Sequence, residues 1–269
     1  MVTNTYQASI EGFQTHLGLN ETEAINLIKK SVTLCRKAIE IEKSLKMINE
    51  DKEILIAGSV GPYGAFLTDG SEYTGNYIST CDIEYIKKWH RPRIQALIEG
   101  GVDVLAFETI PALQEAKVLI ELLKEYPNMK AWLSFSCKDE NYLSYGQSFV
   151  EVAEQCWSMN PTQIMAIGVN CLAASTATEL IAKLGPKNIP AIIYPNYGKI
   201  WDACKKEWVG PSVSQSDEVE LYVEKWCELG VKYLGGCCGT SMETYQKMRS
   251  IVDAYNQKLE GGTDSFASR

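Results

Sequence analysis

No stretch of this 269-residue chain approaches the roughly 18 consecutive apolar residues that a membrane-spanning helix needs. The opening segment, Met-Val-Thr-Asn-Thr-Tyr-Gln-Ala-Ser, lacks the basic region and apolar core of a secretory signal, so a cytoplasmic address is expected. Positive charge is in deficit. The 26 Lys and Arg stand against 34 Asp and Glu, a net charge of −8, and no basic stripe compensates locally. Nucleic-acid binding depends on cations that neutralise phosphates, so that class of partner is set aside. A Gly-x-Gly-x-x-Gly after an early strand is also missing, and with it the fingerprint of a dinucleotide-binding sheet.

What remains is the composition of a soluble globular protein, 45% hydrophobic and 22% charged. Short apolar, β-branched runs lie at 53–60, 102–107, 130–136, 163–169, 190–194 and 231–235, with a strand stump at 2–6. Most are continuously apolar and not alternating, as parallel strands covered on both faces should be. Helical patterns separate them. Asn20 with Glu23 forms a capping-box signature ahead of the face Ile25, Ile28, Val32, Cys35 and Ile39. A second helix starts near Asp82, and Pro92 is expected to kink or restart it. Further helices are expected at about 111–125, 147–157, 174–184, 217–229 and 242–256, with 258–269 a disordered tail beyond a 1–257 barrel domain.

Strict alternation of strands and helices indicates α/β architecture, either an open doubly wound sheet or a (β/α)8 barrel. The barrel is favoured because unusual residues follow nearly every strand: Gly61-Pro62, Glu108-Thr109, Cys137, Asn170-Cys171, Pro195-Asn196 and Gly236-Cys237-Cys238. A barrel gathers its strand C-termini around one mouth, where its chemistry lies. Only seven strands are visible, one short of closure.

Nine cysteines in a chain without a secretory signal read as buried thiols, metal ligands or nucleophiles, and not as a disulfide framework. Cys35, Cys81, Cys156 and Cys227 read as small hydrophobes, and Cys204 falls in a loop. The informative run is Gly235-Gly236-Cys237-Cys238-Gly239-Thr240. Adjacent residues of a strand point to opposite faces, so two neighbouring thiols reach one ion only where glycines let the chain leave β geometry. Thr240 suits the N-cap of the next helix. Cys171 follows another strand. Three thiolates leave one tetrahedral position open, the arrangement of a catalytic zinc. A vicinal disulfide is the structural alternative.

Thr5-Tyr6-Gln7-Ala8-Ser9, the loop 58–77 (GSVGPYGAFLTDGSEYTGNY), Phe107-Glu108-Thr109-Ile110-Pro111, 168–171 (GVNC), Tyr194-Pro195-Asn196 and 235–240 (GGCCGT) together resemble the homocysteine S-methyltransferase family over nearly the whole chain. The resemblance implies a zinc (β/α)8 barrel whose ligand cysteines match Cys171, Cys237 and Cys238. It implies that homocysteine binds the open zinc position as a thiolate and takes a methyl group from a cationic donor, giving methionine. Glu108 matches the carboxylate that holds the substrate ammonium, and Asn170 is the second candidate substrate contact. The aromatic loop, with Tyr63, Phe66, Tyr73 and Tyr77, is similar to the branch that uses S-methylmethionine or S-adenosylmethionine. The betaine-using branch has a donor-contacting tyrosine where Gln7 stands, and a long dimerisation arm.

Two departures affect what to expect. The turn Tyr197-Gly198-Lys199 replaces the Ser-Gly-Glu of many relatives. The family's first strand, with its Asp-Gly-Gly, has no counterpart, so the expected fold is a barrel lacking its first βα unit. Such a barrel has a gap between segments 2–6 and 231–235, with strand edges open to self-association. The alternatives are an inactive homologue that only binds zinc or homocysteine, and another zinc-thiolate enzyme on the same scaffold.

Overall fold

In the computed structural model, which describes residues 1–48, 51–197, 200–202, 205, 207–209 and 218–263, the apolar runs do become parallel strands. They are β1 (Ala57–Val60), β2 (Val104–Ile110), β3 (Ala131–Phe135), β4 (Ile164–Asn170) and β5 (Ala191–Tyr194). A small antiparallel pair, β6 (Ile200–Asp202) and β7 (Glu207–Val209), stands apart, and β8 (Tyr233–Leu234) follows. The main sheet has six strands in the order β1-β2-β3-β4-β5-β8, all parallel. Sequence order equals spatial order, which is how a (β/α)8 barrel is wound.

The stump at 2–6 shrinks to one parallel bridge, Val2 to Ala57, with Thr3 N donating to Ala57 O at 2.9 Å and Ala57 N to Met1 O at 2.8 Å. That bridge marks a seventh strand position. Among the described residues no ladder joins it to β8, so the curled sheet stays open between them.

The helices are α1 (Ile10–Leu17), α2 (Glu21–Ser44), α3 (Tyr63–Leu67), α4 (Ile83–Glu99), α5 (Leu113–Lys124), α6 (Phe149–Met159), α7 (Ala174–Leu184), α8 (Val223–Glu228) and α9 (Met242–Thr263). The Asn20–Glu23 capping box forms in both directions, and Ile28, Val32 and Ile39 of α2 are buried. Four expectations need correction. Pro92 lies inside α4 and does not restart it. Segment 219–222 is a 3-10 turn before α8 instead of α-helix. Residues 258–263 continue α9, where Lys258 pairs with Glu224 of α8 at 3.0 Å, so the expected tail is helical there; 264–269 lie outside the described residues. The cap of α9 comes from Ser241, whose Oγ accepts from Thr244 N at 3.1 Å, and not from Thr240, whose Oγ1 is buried without a partner.

A buried polar cluster ties helices to the strand ends. Glu115 of α5 is fully buried and accepts from Tyr63 N at 2.7 Å, from His90 Nε2 at 2.8 Å and from Tyr77 Oη. Burial lowers the His90 pKa, so its ring is neutral. Arg93 of α4, also buried, donates to Gly61 O at 3.0 Å, Thr5 O at 3.0 Å and Tyr6 O at 2.8 Å, clamping the N-terminal segment to the end of β1.

Candidate metal centre

β4 and β8 both end at the mouth of the open barrel. Cys171, one residue past β4, has left extended geometry with φ 59°. After β8 the chain turns through the two glycines and hangs on the end of β5. Cys237 N donates to Pro195 O at 2.9 Å, Tyr197 N donates to Cys238 O at 2.9 Å, and Gly239 completes the turn at φ 80°. This turn brings two sequence-adjacent thiols to one side.

The sulfurs of Cys171, Cys237 and Cys238 all lie within 4.8 Å of one another. Those of Cys237 and Cys238 are 3.9 Å apart, which is no disulfide. Tetrahedral thiolates about 2.3 Å from zinc have sulfurs roughly 3.8 Å apart, so the spacing fits such an ion. Electrostatics agree. Hydrogen bonds from Cys171 and Cys237 lower the Cys238 pKa, while Cys237 is raised because it donates to both neighbours and is buried. Without a cation, three crowded thiols concentrate ionisation on one sulfur. A dication makes three thiolates compatible.

Glu108 is the single residue of β2 that is not fully buried. Its carboxylate accepts from Ser59 Oγ and from Tyr194 Oη, the latter at 3.2 Å. Tyr194 in turn accepts from Trp132 Nε1 at 3.0 Å and hydrogen-bonds Ser134. Burial pushes the Glu108 carboxyl above its ordinary range, and the two hydroxyl donors offset part of that.

The side chain of Asn170 reaches Thr109 of β2. Its Oδ1 accepts from Thr109 N and its Nδ2 donates to Thr109 Oγ1, both at 2.8 Å. Both ends of the amide are thus engaged, and the residue is 1% exposed. It holds Thr109 at φ 62°, a left-handed conformation costly for a β-branched residue. Asn170 therefore shapes the site through Thr109.

Several neighbours make contacts that the sequence reading did not assign. Tyr73 Oη is 3.1 Å from Cys171 Sγ. Burial raises its pKa, so it stays a protonated phenol hydrogen-bonded to Cys171 Sγ. Among the described residues, Glu72 Oε2 and Asn196 Oδ1 are buried without hydrogen-bond partners. Ser59, Ser134 and Tyr194 were visible as polar breaks in apolar strand runs, but their convergence on Glu108 depends on the sheet's register. Cys137 bridges to Leu143 and stands outside the thiol cluster. Cys156 is buried, whereas Cys35, Cys81 and Cys227 are half-buried. Cys204, Gly198 and Lys199 lie outside the described residues.

Comparison with known proteins places this geometry. A family model described as homocysteine S-methyltransferase matches residues 1–252. Homocysteine S-methyltransferase YbgG of Bacillus subtilis is 44% identical over 251 residues, 92% of this chain and 77% of that protein. A betaine-homocysteine S-methyltransferase of Drosophila melanogaster is 39% identical over 271 residues, 96% of this chain and 80% of that protein. Among solved structures, the metallated form of the homocysteine methyltransferase MmuM from Escherichia coli aligns with a TM-score of 0.80 at 36% identity, covering 93% of this chain and 78% of that one.

Proposed function

Since the chain belongs to the homocysteine S-methyltransferase family and is an enzyme of that activity, we propose that it holds zinc on Cys171, Cys237 and Cys238 and methylates homocysteine from a sulfonium donor. The observation that carries this reading is the three-thiol cluster beside a half-buried carboxylate that has no cationic partner among the described residues. A free thiol with pKa about 8.5 is mostly protonated at neutral pH; bound zinc supplies the positive charge that keeps the substrate sulfur a thiolate.

The chain's own groups do the rest. Glu108, fixed by Ser59 and Tyr194, accepts the substrate ammonium and aims its side chain at the thiol cluster. Tyr73 donates to Cys171 Sγ and tempers the charge on that ligand. In the transfer, the thiolate's electron pair forms the new S–CH3 bond. The donor's S–CH3 bond breaks with its pair left on the donor sulfur, which becomes a neutral thioether. Sulfonium is preferred to betaine because Gln7, where the betaine-using branch places a tyrosine, turns to the loop and donates to Ala65 O at 2.9 Å.

The direct test is methionine formation from homocysteine with S-methylmethionine, S-adenosylmethionine or betaine, by protein stripped of metal and then reloaded with zinc. Product from a sulfonium donor, dependent on zinc, is the expected result. Product from betaine alone overturns the donor assignment. In the same assay Glu108→Gln should retain its metal yet bind homocysteine about 10- to 150-fold more weakly, the loss of a charge-assisted bond of roughly 1.5–3 kcal/mol. Unchanged homocysteine affinity removes Glu108 from the site.

A further inference from the structure

The mouth holds a second carboxylate, a buried one, that the reaction above leaves unused. Glu72 sits on the 3-10 turn Ser71–Tyr73, in the long loop after β1. Its residue is 7% exposed, and Oε2 is buried with no hydrogen-bond partner. The turn is firmly seated. Ser136 Oγ donates to Glu72 O at 2.7 Å, and a Cβ on Gly64 would come within 2.7 Å of Glu72 N, so the α3 backbone packs directly against it. The next residue, Tyr73, reaches Cys171 Sγ. Glu72 is close enough to Cys171 to feel its charge, and Tyr6 feels Glu72, Cys171 and Glu108 together. Burial pushes its carboxyl up to about 6; a backbone hydrogen bond offsets part of that, and the neighbouring Cys171 and Asp69 add to it.

The charge balance of the mouth follows. Two carboxylates face a cluster of thiols, and among the described residues neither carboxylate forms an ion pair. A buried carboxylate without a partner is costly and requires a cation from elsewhere. The ion on the cysteines is matched by their thiolates. Homocysteine contributes one ammonium, which Glu108 takes. The remaining cation is the methyl donor.

We propose that Glu72 is the specificity-determining carboxylate for the cationic methyl donor, pairing with its positive charge beside the rings of Tyr6 and Tyr73. This rests on the methyl-transfer reading above and deepens it. Aromatic faces and a carboxylate are complementary to a soft, poorly hydrated cation. The donor's sulfonium charge vanishes in the reaction, so an attraction to it is strongest in the ground state and acts on donor affinity, not on the chemical step. Once the donor sulfur is a neutral thioether, the same attraction is gone, which favours release of the spent donor.

The test is binding and kinetics on the zinc-loaded full chain. Titration calorimetry without homocysteine, using S-methylmethionine and trimethylsulfonium, reads donor affinity in the absence of turnover. For Glu72→Gln the expected result is donor binding weakened about 10- to 100-fold, with the donor KM raised in proportion, kcat unchanged or higher, and homocysteine affinity, metal content and Tm unmoved. Glu72→Asp, which keeps the charge, should recover part of the affinity. Weakening of both probes locates the contact at the sulfonium and supports the assignment. Weakening of S-methylmethionine alone locates it at that donor's ammonium, whose charge survives the reaction, and overturns the assignment. Equal donor binding in wild type and Glu72→Gln overturns it and leaves the reaction standing. So does a loss that falls on homocysteine or on the metal. A wild type that binds neither probe overturns the sulfonium reading, and this assignment with it.

Discussion

Cys237→Ser and Cys238→Ser should each lose the stoichiometric metal and, with it, methyl transfer. Both sulfurs lie on one face of a turn held by Pro195 O and Tyr197 N, and within 4.8 Å of Cys171 Sγ. A serine hydroxyl in that place is a poor anionic ligand for zinc at neutral pH. Changing outer residues of such sites costs about 10- to 100-fold in metal affinity or activity, so removing a ligand should cost more than about 100-fold. The measurement is zinc per chain after dialysis against a mild chelator, alongside methionine formed per minute. Two serine variants that both keep one zinc per chain and normal turnover end the assignment of this centre. Cys137→Ser, away from the cluster, serves as the control and should keep its metal.

The second large effect belongs to Glu115. Glu115→Ala removes the acceptor of Tyr63 N, His90 Nε2 and Tyr77 Oη at a fully buried position. Each stranded donor costs about 1–3 kcal/mol, so the three together cost roughly 3–9 kcal/mol. At about 2–4 °C per kcal/mol for a domain of this size, Tm should fall by about 6 °C or more. Glu115→Gln keeps one carbonyl acceptor and should lose less. An alanine variant melting within about 2 °C of wild type would mean that the network bears no weight. The consequence reaches the site, because Tyr63 opens α3, and α3 packs against the turn that carries Glu72 and Tyr73.

The strands and the three-thiol cluster were legible because each depends on local pattern. Continuous apolar runs show burial on both faces, and adjacent thiols flanked by glycines have few other uses. The Asn20–Glu23 cap was legible for the same reason, since its partners are three residues apart. Contacts made across the sheet were hidden. Ser59 and Tyr194 meet Glu108 only because β1, β2 and β5 curl around one interior, and their separations of 49 and 86 residues leave no mark in the sequence. Asn170 shows the limit most clearly. Its place beside Cys171 suggested a substrate contact, while the partner of its amide, Thr109, lies 61 residues away and leaves no mark in the sequence. The capping of α9 went one residue astray because Thr240 and Ser241 are equally good caps by type, and only the turn's geometry chooses between them.

The bond pair between Asn170 and Thr109 spans β4 and β2, and each of those strands delivers one end of the site: Cys171 follows Asn170, and Glu108 precedes Thr109. The two ends cannot drift apart independently. On the proposed reading, the distance from anchored ammonium to metal-bound sulfur is then a ruler cut to the length of homocysteine. Cysteine, one methylene shorter, can satisfy the carboxylate or the metal but must stretch to satisfy both. Giving up the charge-assisted bond would cost it roughly 1.5–3 kcal/mol, against about 0.8 kcal/mol for the missing methylene alone. On that reading, a molecule that carries a thiol and an ammonium at another separation should bind more weakly because of the backbone, without any wall placed to exclude it.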